Sequence, residues 1–235
     1  MNKTITAAAV ALTMSATGAF AATFDGLIDF SGFNNNDSVT QLDLGGGIFA
    51  DLEIVNGFGA TSFAGDARIF DTTPGGPAVN NANDPDLVAD PFANSAGGEG
   101  RSFGNALIIQ ERASISAPTG PDDERRGGVI FFDFGTAKID LLSLFYLDGE
   151  EGFSVEANMA ELGSGAGTDD QFTFLDFSSN ADAKGISRFA VVFNGSGAIG
   201  EIEVGLSAVP VPAGLPLLLT AFGAFAVVRR KRKVA

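Results

Sequence analysis

Between residues 22 and 208 the apolar residues come in short runs, each cut off by Gly, Asn, Asp or Pro. No segment in that span sustains a 3.6-residue apolar period, so strands and turns are the elements left to build with. Two runs alternate with period two. Phe189, Val191 and Phe193 share one face of 187–193, and Ile202, Val204 and Leu206 share one face of 198–206 opposite Glu201 and Glu203. That pattern is antiparallel sheet with one wet face. Phe131-Phe132 and Leu141-Leu142 instead put apolar groups on both faces, which places their strands centrally in a sheet. Strands are predicted at 23–30, 39–44, 47–55, 67–70, 105–111, 128–134, 138–147, 152–157, 171–177, 187–193 and 198–206. The fold class that follows is all-β, an antiparallel two-sheet β-sandwich of jelly-roll type. Residues 71–104 hold hardly any core-forming side chains and are predicted to be a long loop, of the kind that is functional or disordered. Residues 163–170 are predicted to be flexible, and Asn194-Gly195-Ser196, a formal glycosylation acceptor, is predicted to be a hairpin turn.

The two ends of the chain obey different rules. Lys3, an apolar run from Ile5 to Met14 and Ala19-Phe20-Ala21 form the three regions of a secretory signal. A signal helix over 1–21 is predicted, delivered by the Sec export machinery and cut by signal peptidase between Ala21 and Ala22. At the other end, Val209, Pro210, Val211, Pro212, Ala213 and Gly214 lead into 16 uncharged residues, Ala213 to Val228. A helix of that length spans about 24 Å. A bilayer core is about 30 Å thick, so the segment is a short transmembrane span. Pro216 falls in its first turn, where a missing N–H costs little. Arg229, Arg230, Lys231, Arg232 and Lys233 follow at once and are expected to stay in the cytoplasm, with everything before residue 209 across the membrane. The competing possibility is a buried core helix followed by a solvated basic end, but a chain this acidic has no reason to gather its cations there. The organisation predicted is therefore 1–21 signal peptide, 22–208 surface domain and 209–235 sorting segment.

Composition narrows the chemistry. Residues 22–208 carry 8 Lys and Arg against 29 Asp and Glu, a net charge of −21, which excludes nucleic acid as a partner. The same span holds 19 of the 22 Phe residues, enough apolar mass to argue against disorder. The chain has no His and no Cys. Ser-His-Asp and Cys-His catalysis and His/Cys metal sites are thereby removed. Carboxylate chemistry remains: hard cations or a two-carboxylate glycosidase.

Four acidic loci stand out. They are Asp71, Asp84, Asp86 and Asp90 in the long loop, Asp122-Asp123-Glu124, Asp148-Gly149-Glu150-Glu151 and Asp169-Asp170. Calcium takes six to eight oxygens, which loops with Asp and Gly supply well. Asp71, Asp84, Asp86, Asp122, Asp123, Asp148 and Glu150 are the candidate ligands for a structural calcium. The plain alternative is that these acids are solvated turn formers bonded to their own backbone. Arg125-Arg126 beside them suggest a solvated ion-pair cluster. Asp123 with Glu150 could serve as a glycosidase pair, yet the aromatic platforms that hold sugar rings are scarce. There is no Trp and one Tyr, Tyr146.

Two resemblances add to this. The string Val209-Pro210-Val211-Pro212-Ala213-Gly214-Leu215-Pro216, an apolar span and a terminal Arg/Lys block resemble the VPLPA-type variant of the PEP-CTERM sorting signal, with Val211 where that pattern has Leu. The resemblance implies recognition by an exosortase, a membrane-embedded protease or transpeptidase of Gram-negative bacteria. It also implies cutting near the Pro motif and release to the cell surface or an exopolysaccharide matrix. Separately, Ala67–Asp71, Asp84–Leu87, Gly104–Glu111, Pro121–Asp123, Gly127–Phe131, Leu144–Asp148 and Phe193–Ile199 resemble a recurring, uncharacterised β-rich module of exported bacterial surface proteins. That likeness departs at Thr73–Pro77 and implies no activity.

The function expected is that of an exported, non-enzymatic surface or matrix protein. Three rivals stay open: a calcium-dependent glycan-binding module, which needs an exposed Phe or Tyr146 beside the acidic loops; a two-carboxylate glycosidase; and a permanently anchored periplasmic protein.

Overall fold

The computed structural model describes residues 24, 26–57, 63–75, 87–111 and 120–207. The signal segment and the sorting segment expected at the two ends lie outside the described residues, as do Asp84 and Asp86.

The described residues form two seven-stranded sheets. In chain order the strands are β1 (Leu27–Ile28), β2 (Gln41–Asp43), β3 (Phe49–Asn56), β4 (Phe63–Ala64), β5 (Ala67–Asp71), β6 (Ala93–Asn94) and β7 (Asn105–Ile109). They continue as β8 (Gly128–Asp133), β9 (Ile139–Leu147), β10 (Phe153–Ala157), β11 (Ala160–Gly165), β12 (Gln171–Asp176), β13 (Arg188–Phe193) and β14 (Ala198–Leu206). The first sheet runs β5-β7-β14-β9-β12-β6, with β1 also on β14. The second runs β11-β10-β13-β8-β3-β2, with β4 also on β3. All pairings are antiparallel except β12 with β6. From β7 to β14 the chain changes sheet at every step except the β10–β11 hairpin. The all-β sandwich expected from the period-two pattern is what forms.

The expected central strands are central. Strand β8 lies between β13 and β3, and β9 between β14 and β12. Phe189, Val191 and Phe193 point into the core, as do Ile202 and Val204. Leu206, expected on that same buried face, is instead half exposed, because it lies where the sandwich runs out. Two local expectations fail. Part of the stretch expected to be flexible, 163–165, ends β11, which turns back on β10 through Asn158 and Met159. Those two residues have φ of 51° and 65° between the paired Ala157 and Ala160, the twist that suits a two-residue hairpin. Asn158 is the one local signal for that turn, since Asn tolerates positive φ, and no Gly follows it. The expected hairpin at 194–196 is instead a crossover from β13 in the second sheet to β14 in the first.

The core between the sheets joins both. Ile69, Leu107, Ile109, Leu144 and Ile202 of the first meet Ile54, Ile130, Phe132, Val155 and Phe189 of the second. Tyr146 of β9 stacks on Phe153 of β10, ring centres 4.0 Å apart. A second apolar cluster lies on the far side of the first sheet. Phe70, Ala106, Ile108, Leu147, Phe172 and Ala198 are covered there by Leu87 and Phe92, both fully buried. Phe103 completes the cover, 5.9 Å from Phe92 and 5.7 Å from Phe172. Gly200 makes room for it, since a Cβ there would fall 2.6 Å from the Phe103 ring. Residues 87–103 are therefore a packed flap, not the coreless loop expected from their composition. Phe92 and Arg101 pair backbone to backbone, and β6 extends the sheet along β12.

Register sorts the connections into two ends. At one end Ile139 pairs with Leu206, Ser207 N–H donates to the Lys138 carbonyl, and the chain enters beside β14 through Gly26. At the opposite end Leu147 pairs with Ala198, Gly128 with Phe193, and Gln110 with Asp123. The first is the chain-end pole, the second the acidic pole. Because Phe92 seals an apolar face, Phe92→Ala is expected to cost about 3–5 kcal/mol in urea unfolding of the purified protein. A loss below about 1 kcal/mol would show that the flap is not packed.

Candidate functional site

The acidic pole gathers several of the predicted residues. Asp122 and Asp123 reach it because the 120–124 segment folds back on the end of β7. Glu111 N–H donates to the Asp122 carbonyl at 2.6 Å, and Glu124 N–H to Ile109 at 2.9 Å. Asp148 closes β9 with φ of 51°, its N–H donating to the Gln171 carbonyl at 2.9 Å. Glu150 lies on the exposed turn that follows. Asp71 does not join them. It ends β5 opposite Asn105, four residues from the Ala67–Ile109 pair that marks the acidic pole. At about 3.3 Å per residue that is roughly 13 Å along the strand. Asp71 instead caps its own turn, accepting from Thr73 N–H at 3.0 Å.

Asp123 is nearly fully buried and holds the β13–β14 crossover. One carboxylate oxygen accepts from Ser196 Oγ at 3.0 Å, the other from the Gly197 N–H. The Tyr146 hydroxyl reaches the Ser196 carbonyl at 3.4 Å. Burial pushes the Tyr146 phenol well above its ordinary value, and the nearby charges of Asp123, Asp148 and Glu151 push the same way. Gly197, at φ 141°, lies against that ring; a Cβ would fall 2.4 Å from the hydroxyl. Glu124 is buried too, bound by Arg126 through Nε at 3.0 Å and by Asn56 Nδ2 at 3.3 Å. Arg125 pairs with Glu111 at 3.6 Å, so the two arginines form the ion-pair cluster expected. Desolvation lifts the Glu111 carboxyl above its ordinary value. Asp122 adds to the rise, and Arg125 opposes it.

This arrangement clamps backbone. Asp123 spends both oxygens on donors of the crossover, which leaves it poorly placed as a glycosidase nucleophile beside the exposed Glu150. Among the described residues, no group of three or more Asp and Glu is drawn together as a metal site. Tyr146 is no sugar platform, because it is fully buried between Phe153 and Phe193. Two aromatic rings are exposed among the described residues, Phe49 and Phe174, and Phe174 packs 4.7 Å from Phe145 on the outer face of the first sheet. Arg101 lies 4.2 Å over Phe145 and pairs with Glu201. Sequence reasoning missed Ser196, Gly197 and Glu111 as members of the acidic-pole network. The one available signal was the Gly-Ser-Gly at 195–197, three small residues where a ring and a carboxylate approach closely.

Compared with known proteins, the chain matches no family model, and no curated protein matches it.

Removing the clamp should be costly. Asp123→Ala is expected to lose about 2–3 kcal/mol in denaturant unfolding, since it strands buried donors. Gly197→Ala should also destabilise, through the clash with Tyr146, while Tyr146→Phe should cost no more than about 1 kcal/mol. Equal losses in Tyr146→Phe and Asp123→Ala would contradict this ranking. Glu111 predicts a pH effect. Its folded pKa lies above its free value of 4.5, so its contribution favours folding at low pH and is lost as pH rises through the folded value. Melting curves of the wild type and Glu111→Gln should therefore diverge in the variant's favour as pH climbs from 4.5 toward neutrality.

Proposed function

We propose that this chain is an exported, non-enzymatic β-sandwich of the bacterial cell surface or extracellular matrix. It travels through the Sec machinery and signal peptidase, is held briefly in the inner membrane with its basic tail in the cytoplasm, and is released by an exosortase-type protease. The carrying observation is the tail itself, in which a Pro-rich stretch at 209–216, an apolar run too short for a comfortable span and five consecutive cations come in that order. Such a protein resembles VPLPA-type sorting substrates, and exopolysaccharide is the matrix polymer it would meet.

The fold supports a structural role. The order β7-β14-β9-β12 in one sheet and β8-β13-β10-β11 in the other supports reading the sandwich as a jelly roll of two Greek keys. Buried Asp123 is bonded to the crossover it supports, and buried Glu124 to Arg126 and Asn56, which suits a rigid module. Calcium remains part of the proposal as a weak structural ligand around Asp148 and Glu150, suited to an external medium. A second possibility, a glycan-binding module, has one accessible ring in its favour, Phe174, packed on the Phe145 ring that Arg101 covers, although that ring lies on the outer face of the first sheet and not at the acidic pole.

Mass spectrometry of the native product tests sorting. Loss of residues 1–21 together with the basic tail is expected; an intact Arg229–Lys233 block would favour a permanent periplasmic anchor. For calcium, the melting temperature of the purified protein should rise with added calcium and drop with chelator, and an unchanged value would remove calcium from the account. A glycan array with wild type and Phe174→Ala addresses the second possibility, which is lost if the two give the same signals.

A further inference from the structure

The chain enters and leaves the sandwich at one place. Strand β1 lies antiparallel on β14, with Leu27 opposite Glu203 and Ile28 opposite Ile202. Val204 N–H donates to the Gly26 carbonyl at 2.8 Å, which brings Phe24 toward the Leu206 end of β14. Only residues 208–212 separate Ser207 from the apolar run that starts at Ala213. Five residues reach at most about 18 Å when fully extended. On the entry side two residues, Ala22 and Thr23, separate the predicted signal cut from Phe24. A sandwich leashed so closely from one pole cannot turn that pole away from the membrane.

The side chains at that pole suit the position. Five large apolar residues are exposed among the described residues: Leu27, Phe49, Met159, Phe174 and Leu206. Register puts three of them at the chain-end pole. Leu206 pairs with Ile139 at the start of β9. Met159 sits in the β10–β11 turn, beyond the Ala157–Phe189 pair. Phe49 begins β3, two residues before Asp51, which pairs with Asp133 at the end of β8. Met159 projects fully into solvent and Phe49 is 43% accessible. None of the five lies at the acidic pole, where Asp122, Asp123, Glu124, Asp148, Glu150 and Glu151 collect. Asp43, Asp133 and Asp182 share the chain-end pole with Lys138 and Lys184, so net charge gives no attraction there to an anionic surface.

We infer that the chain-end pole is a membrane-docking surface, with Phe49, Met159 and Leu206 resting in the interfacial region of the bilayer while the tail is inserted. This rests on the tail being a membrane segment. The partner is the apolar and zwitterionic part of a lipid surface. Docking leaves the Pro motif in a gap of less than about 20 Å between sandwich and bilayer, where a membrane-embedded protease must read it. It also points the acidic pole outward.

The chain contains no Trp, so one introduced ring reports alone. Phe49→Trp, Met159→Trp and, at the acidic pole, Asp169→Trp are each made in residues 22–235 and reconstituted into phosphatidylcholine vesicles, with and without bromine on the acyl chains. Flotation of the vesicles is measured on the same samples. The expected result is co-flotation, a blue-shifted emission at 49 and 159 that bromine quenches, and an emission at 169 that bromine leaves unchanged. Co-flotation with 49 and 159 no more quenched than 169 overturns the docking surface while leaving the membrane tail intact. Failure to float overturns the tail and the docking surface together. The three variants in residues 22–208, without the tail, should show quenching at none of the positions if the tail is what brings the pole to the lipid.

Discussion

The ladder between β9 and β14 is the constraint that the rest of this structure serves. Eight residue pairs join the two strands, from Leu147–Ala198 to Ile139–Leu206. Toward the acidic pole they are apolar on both faces: Leu144, Tyr146, Ile199 and Ile202 look into the sandwich, Leu147 and Ala198 look outward. A sheet with two greasy faces needs two covers. The second sheet supplies one. The flap at 87–103 supplies the other, through Leu87, Phe92 and Phe103, and its Arg101 closes over Phe145 to reach Glu201. Toward the chain-end pole the outer face turns polar, with Ser143 bonded to Glu203, and the flap is not needed there.

The two poles follow from the same ladder. Because β14 is flanked by β9 on one side and by β7 and β1 on the other, its two ends collect different loops. At one end the crossovers stack around Tyr146 and are bonded by Asp123. At the other the first and last described residues leave side by side. A domain with this polarity keeps the two ends of the described chain together and presents its acids away from them.

Much of the fold was legible in the chain. Each of the eleven expected strands overlaps a strand of the structure, and the doubly apolar pairs Phe131-Phe132 and Leu141-Leu142 mark the central positions. The strands that went unseen are Phe63–Ala64, Ala93–Asn94 and Ala160–Gly165. They are short or rich in small residues, and their partners rather than their composition hold them extended. The acidic pole was half legible. Clustered Asp and Glu at strand ends drew attention to Asp122, Asp123 and Asp148, but the same pattern suggested Asp71, which the register of β5 carries elsewhere. Tyr146, conspicuous as the one tyrosine, invited a surface role and is instead a buried pillar.

What the sequence by itself determined is local: where strands run, which ones are buried on both faces, the acidic balance and the two hydrophobic ends. Period-two alternation and turn residues act within a few positions, so they can be read without partners. Only the tertiary structure decided that the segment 87–103, mostly small and polar, would seal a sheet, that 194–196 would cross between sheets, and that Asp123 would clamp residues 73 and 74 positions away. Those outcomes depend on which faces meet across the sandwich, and a buried carboxylate or ring acquires its role only when distant backbone arrives to bond it.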